Sequence, residues 1–137
     1  MSDDIFWRVK TQCTKIFIEN LLLECSIGAY AHEHEHTQPV IINCEVWIPN
    51  EEAMSDRDDL QDVLDYTRLL ATIEQVALGG HIELQETLIN QVANALLQFP
   101  SIVLLHLTTA KPEAYDKAEA IGLEVWRQGP AFSLLKA

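Results

Sequence analysis

Basic residues are scarce in this chain: nine lysines and arginines stand against 21 aspartates and glutamates among 137 residues, a formal charge of −12. So acidic a surface repels phosphate backbones and anionic headgroups, which argues against nucleic acid and against a membrane as partners. It argues more weakly against a triphosphate substrate, unless several of the few bases converge on one pocket. Cysteine is also sparse. Cys13, Cys25 and Cys44 are odd in number and lack CxxC spacing, which reads as reduced thiols in a cytosolic protein and so a cytoplasmic location. No apolar run approaches the roughly 18 residues of a membrane span. The opening MSDDIFWRVK begins with acids and shows no signal-peptide pattern. Internal repeats and low-complexity tracts are missing as well.

What remains is enough for one domain over residues 1–137, with 48% apolar residues to build its core. Residues 13–25 (CTKIFIENLLLEC) predict a strand with a kink near Asn20, and residues 40–48 (VIINCEVWI) a second strand ending at Pro49. The two should pair antiparallel across the loop 28–39. The polar, acidic stretch 51–64 reads as a short helix and a loop. The period then changes: Leu69, Leu70, Ile73, Val76 and Ala77 follow helical spacing, stopped by Gly79-Gly80. A second helix is expected over about 84–99, with Leu88, Val92 and Leu96 in one row and Pro100 beyond. Two more strands, IVLLHLTT (102–109) and AIGLEVW (120–126), complete a ββααββ order. Such an order implies an α+β fold: an antiparallel sheet with two long helices on one face. The N-terminal dozen residues and the tail QGPAFSLLKA read as short extensions of it.

The stretch AHEHEH (31–36) raises a metal question. If it were extended, His32, His34 and His36 would share one face, as zinc ligands do. Four other residues stand apart from the scaffold. These are Glu33 in that loop, Tyr66 at the start of the first long helix, Glu86 in the first turn of the second, and Lys111 in the loop AKPEAYDKA. A carboxylate in a helix first turn is held charged by the unsatisfied N–H groups there and can accept two parallel N–H bonds from an amidine-like edge. Taken singly, each has a plain structural reading: a helix acid, a solvated loop lysine, a half-buried tyrosine. Spacing alone does not decide between these readings.

The segments IFIENLLLECSIGAYAHE, LDYTRLL, HIELQETLINQVANALL and AKPEAYDKAEAIGLEVW, in this order, resemble the dihydroneopterin aldolase family of folate biosynthesis. The likeness covers roughly residues 15–127, and each motif is weak alone while their order and spacing are fairly specific. It implies the tunnelling fold, whose subunits join edge to edge into a barrel-like ring, here a tetramer or octamer, with active sites between neighbours. It also implies the site. Glu33 would order a catalytic water and the substrate hydroxyls, Tyr66 and Lys111 would move protons, and Glu86 would anchor the pterin. Leu64, Asp65 and Gln85 would line the pocket. Gln85 departs from the family, which often has an apolar residue there.

The implied substrate, 7,8-dihydroneopterin, carries its own electron sink in the C6=N5 imine. The resemblance therefore implies no cofactor and no metal, with Glu33 the functional residue of AHEHEH and its histidines flanking the site. Three rivals stay open: an epimerase acting on dihydroneopterin or its triphosphate, a catalytically silent pterin-binding ring protein, and a zinc-dependent relative such as 6-pyruvoyl tetrahydropterin synthase. His81 and His106 read as structural.

Overall fold

Four strands form one antiparallel sheet in the order β1-β2-β3-β4, with β1 at Cys13–Cys25, β2 at Gln38–Pro49, β3 at Leu104–Lys111 and β4 at Ile121–Gln128. The computed structural model describes residues 4–137; residues 1–3, the start of the stretch read for a signal peptide, lie outside it. Between the strand pairs run two long helices, α3 (Tyr66–Ala77) and α4 (Gln85–Leu96). Two shorter helices, α1 (Ile5–Gln12) and α2 (Asn50–Ala53), precede β1 and follow β2. No helix among the described residues is long and apolar enough to cross a membrane.

Alternation on β2 decides which face is covered. Val40, Ile42, Cys44, Val46 and Ile48 are buried, with Leu105 and Leu107 beside them on β3. Against them α3 lays Leu69, Ile73 and Ala77, and α4 lays Leu88, Ile89, Val92, Ala93 and Leu96. Each helix thus turns one apolar stripe to the sheet. The expected kink in β1 is present. Asn20 has φ 55°, the pairing register shifts between Ile18 and Leu21, and the Asn43 side chain bonds both the amide N–H and the side-chain oxygen of Asn20. A bulge adds one residue to a strand of period two, so Ile16 and Ile18 before it and Leu21, Leu23 and Cys25 after it reach the same core.

Three expectations need adjusting. The third strand begins two residues later than predicted and ends at Lys111, so Lys111 closes a strand on its buried face instead of lying in a loop. The stretch after it, 112–120, makes the turn. AHEHEH is not extended either: Ala31–His34 form a 3-10 turn, so the three histidines do not share a face. The N-terminal extension contains a helix, α1, capped by Asp4. It packs Val9 with Cys13, Val103 and Ala131, while Gln12 bonds both the N–H and the carbonyl of Lys136. The three cysteines are unpaired and buried, and burial pushes Cys25 up to about 11 and Cys44 to about 12.

The face of the sheet away from α3 and α4 carries an ionic cluster. His106 Nδ1 meets Glu45 at 2.5 Å, its Nε2 meets Glu124, and Trp126 stacks on the ring with centroids 3.9 Å apart. Lys15 pairs with Glu45 at 2.8 Å. Burial pulls the His106 pKa down, but hydrogen bonds and charges from Glu45 and Glu124 outweigh it and raise the value above normal. A raised folded value means stability that is complete below the unfolded value of about 6.5 and is lost as pH climbs through the folded one. Urea midpoints should therefore drop as pH rises from about 6 to about 9, and His106→Gln should flatten that drop. Identical slopes for the two proteins would dissociate His106 from it.

Candidate active site

Backbone pairing brings two distant segments together. Ile27 bridges Ile82, with Gly28 N–H on Ile82 O and Ile82 N–H on Ser26 O, both at 3.0 Å. This seats the start of the 28–37 loop against the connection leading into α4. Gly28, at φ +132°, then turns the chain sharply and leaves room above itself for the Glu33 side chain.

Glu33 is the hub. Its Oε2 accepts from Lys111 Nζ at 2.8 Å and from Gln38 Nε2 at 2.9 Å, and its Oε1 from Tyr30 N–H at 3.3 Å. Both members of the ion pair have side chains only 11% exposed. Burial alone would raise the Glu33 pKa. Hydrogen bonds from Lys111, Gln38 and Tyr30, together with the lysine charge, win and hold it at about 2. A permanently ionised carboxylate and an ammonium are therefore stationed side by side. Gln38, which also donates to Ile27 O at 2.8 Å, escaped the sequence reading. Nothing local marks it, because its role depends on β2 starting where it does.

Glu86 sits in the first turn of α4, whose N-cap, Leu84, supplies no side-chain bond to the turn. It lines the same open cleft of about 700 Å³ as Glu33, Lys111, Gln85 and Tyr30. Gln85 is committed to the protein: its Oε1 accepts from Thr109 Oγ1 at 2.7 Å and its Nε2 donates to Ile121 O at 3.3 Å. It ties the start of α4 to β3 and β4 beside Lys111.

Tyr66, Leu64 and Asp65 are elsewhere. They line a separate groove with Ile16, Leu60 and Val63, and Tyr66 is 60% exposed there. The Asp65 carboxylate caps α3, accepting from Thr67 N–H at 2.9 Å and Thr67 Oγ1 at 2.6 Å. The chain thus assembles Glu33, Lys111, Glu86 and Gln85, and keeps the tyrosine group apart.

The histidines are dispersed. His32 lies parallel to Tyr30 with ring centroids 6.1 Å apart, His36 is exposed, and His34 leans on His81, centroids 4.1 Å apart.

A family model for dihydroneopterin aldolase matches residues 16–126. The chain belongs to the dihydroneopterin aldolase family. Among curated relatives, the dihydroneopterin aldolase of Escherichia coli K12 is 28% identical over 112 residues, 82% of this chain and 91% of that one. Among solved structures, a Burkholderia dihydroneopterin aldolase bound to guanine has a TM-score of 0.80 at 30% identity, covering 91% of this chain and 98% of its own. The E. coli dihydroneopterin aldolase in complex with neopterin gives 0.77 at 27% identity, covering 83% and 98%. The resemblance drawn from four sequence segments is thus borne out at the level of the family, as is the α+β class with its four-stranded antiparallel sheet.

Proposed function

We propose that this family member cleaves 7,8-dihydroneopterin by retro-aldol reaction into 6-hydroxymethyl-7,8-dihydropterin and glycolaldehyde, a step of folate biosynthesis. The observation that carries the proposal is the Glu33–Lys111 ion pair, which shares a cleft with Glu86 at the open start of α4. The pterin presents two adjacent N–H donors, at N2 and N3, to the Glu86 carboxylate, a pairing strengthened by the charge. Glu33 orders a water and the side-chain hydroxyls. The 2′-hydroxyl loses its proton through that water, and the C1′–C2′ bond breaks to release glycolaldehyde. Its electron pair passes into the C6=N5 imine as an enamine. A proton returned to C1′ restores the imine, and Lys111 and Tyr66 are the groups that move these protons. Re-addition of glycolaldehyde to the opposite face would give the epimer, so epimerisation accompanies cleavage. Incubation with dihydroneopterin should release glycolaldehyde, with or without chelator; pterin binding without release would leave only a binding protein.

The site is completed by a second subunit. Among the described residues both edge strands of the sheet, β1 and β4, pair with a strand on one side alone, and such edges invite pairing with another copy. Tyr66, with Leu64 and Asp65, lies in its own groove, away from the Glu33 cleft. A ring that joins β1 to a neighbour's β4 supplies each cleft with a tyrosine from next door. Tyr66→Ala and Lys111→Ala, each inactive, should rescue one another when unfolded and refolded together. Random mixing yields an intact tyrosine beside an intact lysine at roughly a quarter of the sites, so about a quarter of normal activity should return. Mixed rings verified by mass spectrometry but with no gain would mean that each chain builds its own site.

A further inference from the structure

Beside the Glu33 loop, three side chains converge that the aldol chemistry does not use: His34, His81 and Glu83. One ligand atom from each lies within 4.8 Å of the other two. His34 Nε2 is 3.1 Å from Glu83 Oε1, and His81 Nε2 is 3.9 Å from the same oxygen. A tetrahedral zinc ion with bonds of about 2.0–2.1 Å holds its donor atoms roughly 3.3 Å apart. The observed spacings bracket that value. His34 and Glu83 have side chains 44% and 57% exposed, so they can close the remaining gap by rotamer adjustment.

We propose that His34, His81 and Glu83 bind a divalent transition metal, zinc by the chemistry of the ligand set, and so cross-link the 28–37 loop to the connection before α4. This departs from the expectation of no metal site, and it is not the three-histidine face considered for AHEHEH, since only His34 takes part.

His81 is already oriented for the task. Its Nδ1 meets Ser26 Oγ at 2.6 Å, and its side chain is 23% exposed, less than the other two. A metal-ligating histidine commonly donates its second ring N–H to a fixed acceptor, which sets the tautomer and frees the other nitrogen for the ion. Here Nε2–H donates to Gly28 O at 2.9 Å and Nδ1 accepts from Ser26 Oγ–H; binding an ion through Nε2 moves the ring proton to Nδ1, where Ser26 Oγ then accepts it. That shift gives up the bond to Gly28 O, and the metal ion takes the place of the Nε2 proton. Neutral imidazoles and a carboxylate suit zinc, and the carboxylate lowers the charge of the occupied site.

Position gives the site its consequence. His34 follows Glu33 directly, and Gly28 is the residue beneath the Glu33 carboxyl. An ion here braces the loop that carries Glu33 against the segment that leads to Glu86.

The test titrates zinc chloride into the chelator-treated full-length chain by calorimetry, alongside His34→Ala, Glu83→Gln and His36→Ala. One ion per chain is expected. Losing a ligand should weaken binding by about 10–100-fold or more, since even second-shell changes cost that much. His36→Ala should bind like the unsubstituted chain. Cobalt(II) should show the intense visible bands of a tetrahedral site, and His34→Ala should abolish them. Absence of saturable uptake, uptake shared equally by all variants, or uptake that depends on His36 would each overturn the proposal. Binding is read without turnover, so the absence of aldol cleavage would leave this result intact.

Discussion

Lys111→Ala is expected to lower kcat by about 10²–10⁴, the range for losing a positioned acid–base group. Lys111 closes β3 with 8% of its surface exposed and gives its ammonium to Glu33 at 2.8 Å. Its removal takes away a proposed proton-transfer group and also the charged partner of the carboxylate proposed to order the water. Gln38 and the Tyr30 amide still hold Glu33 in place, so the loop should keep its path. Pterin affinity should change far less, because the proposed anchor, Glu86, is on α4. Single-turnover kinetics and a fluorescence titration with a pterin product separate the two quantities. Turnover close to normal would remove Lys111 from the chemistry.

Gly28→Ala should cost about as much, through geometry alone. A Cβ at Gly28 would lie 2.0 Å from Glu33 Cδ and 2.3 Å from both carboxylate oxygens, so the carboxyl has to leave. Its bonds to Lys111 and Gln38 go with it. A displacement of about 1 Å in a catalytic array can cost on the order of 10²-fold, and that loss in kcat is the expected result. The left-handed backbone at φ +132° adds strain of its own, which calls for a matched control. Gly80 supplies one: it has φ +146° with nothing within 4 Å of the would-be Cβ. Gly80→Ala suffers similar backbone strain without the collision and should keep its turnover. If the two variants lose activity equally, the collision with Glu33 is not the cause.

Much of this architecture is legible in short-range pattern. Apolar alternation marks β2, helical spacing marks α3 and α4, and an asparagine between two apolar runs marks the bend of β1, because each signal repeats within a few residues. The start of β3 lies two residues beyond the sequence expectation because Ile102 and Val103 look like strand but are buried outside it. AHEHEH mimics strand alternation, yet Glu33 closes a 3-10 turn onto Tyr30. Nothing local marks α1 as a helix, since Val9 packs with Val103 and Ala131 and Gln12 bonds Lys136, all far along the chain. In the site, Glu33, Lys111 and Glu86 carry recognisable motifs. Gln38 and Thr109 do not, because their function is set by which strand residues face each other.

The bulge at Asn20 has a bearing on how this sequence can change over time. It acts as a phase shifter: upstream, even-numbered residues of β1 face the helices, and downstream odd-numbered ones do. Deleting the extra residue there would restore plain alternation and keep Leu21, Leu23 and Cys25 on the helix face, because Ile18 pairs with Cys44 and Leu21 with Ile42, so the bulge can give up a residue without a core defect. Loss of a residue elsewhere in β1 reverses the facing of the residues beyond it unless the bulge is absorbed to restore the phase. Point substitutions that keep Asn20 and Asn43 as a pair face no such barrier. The strand can drift in composition, and its length has slack at the bulge alone.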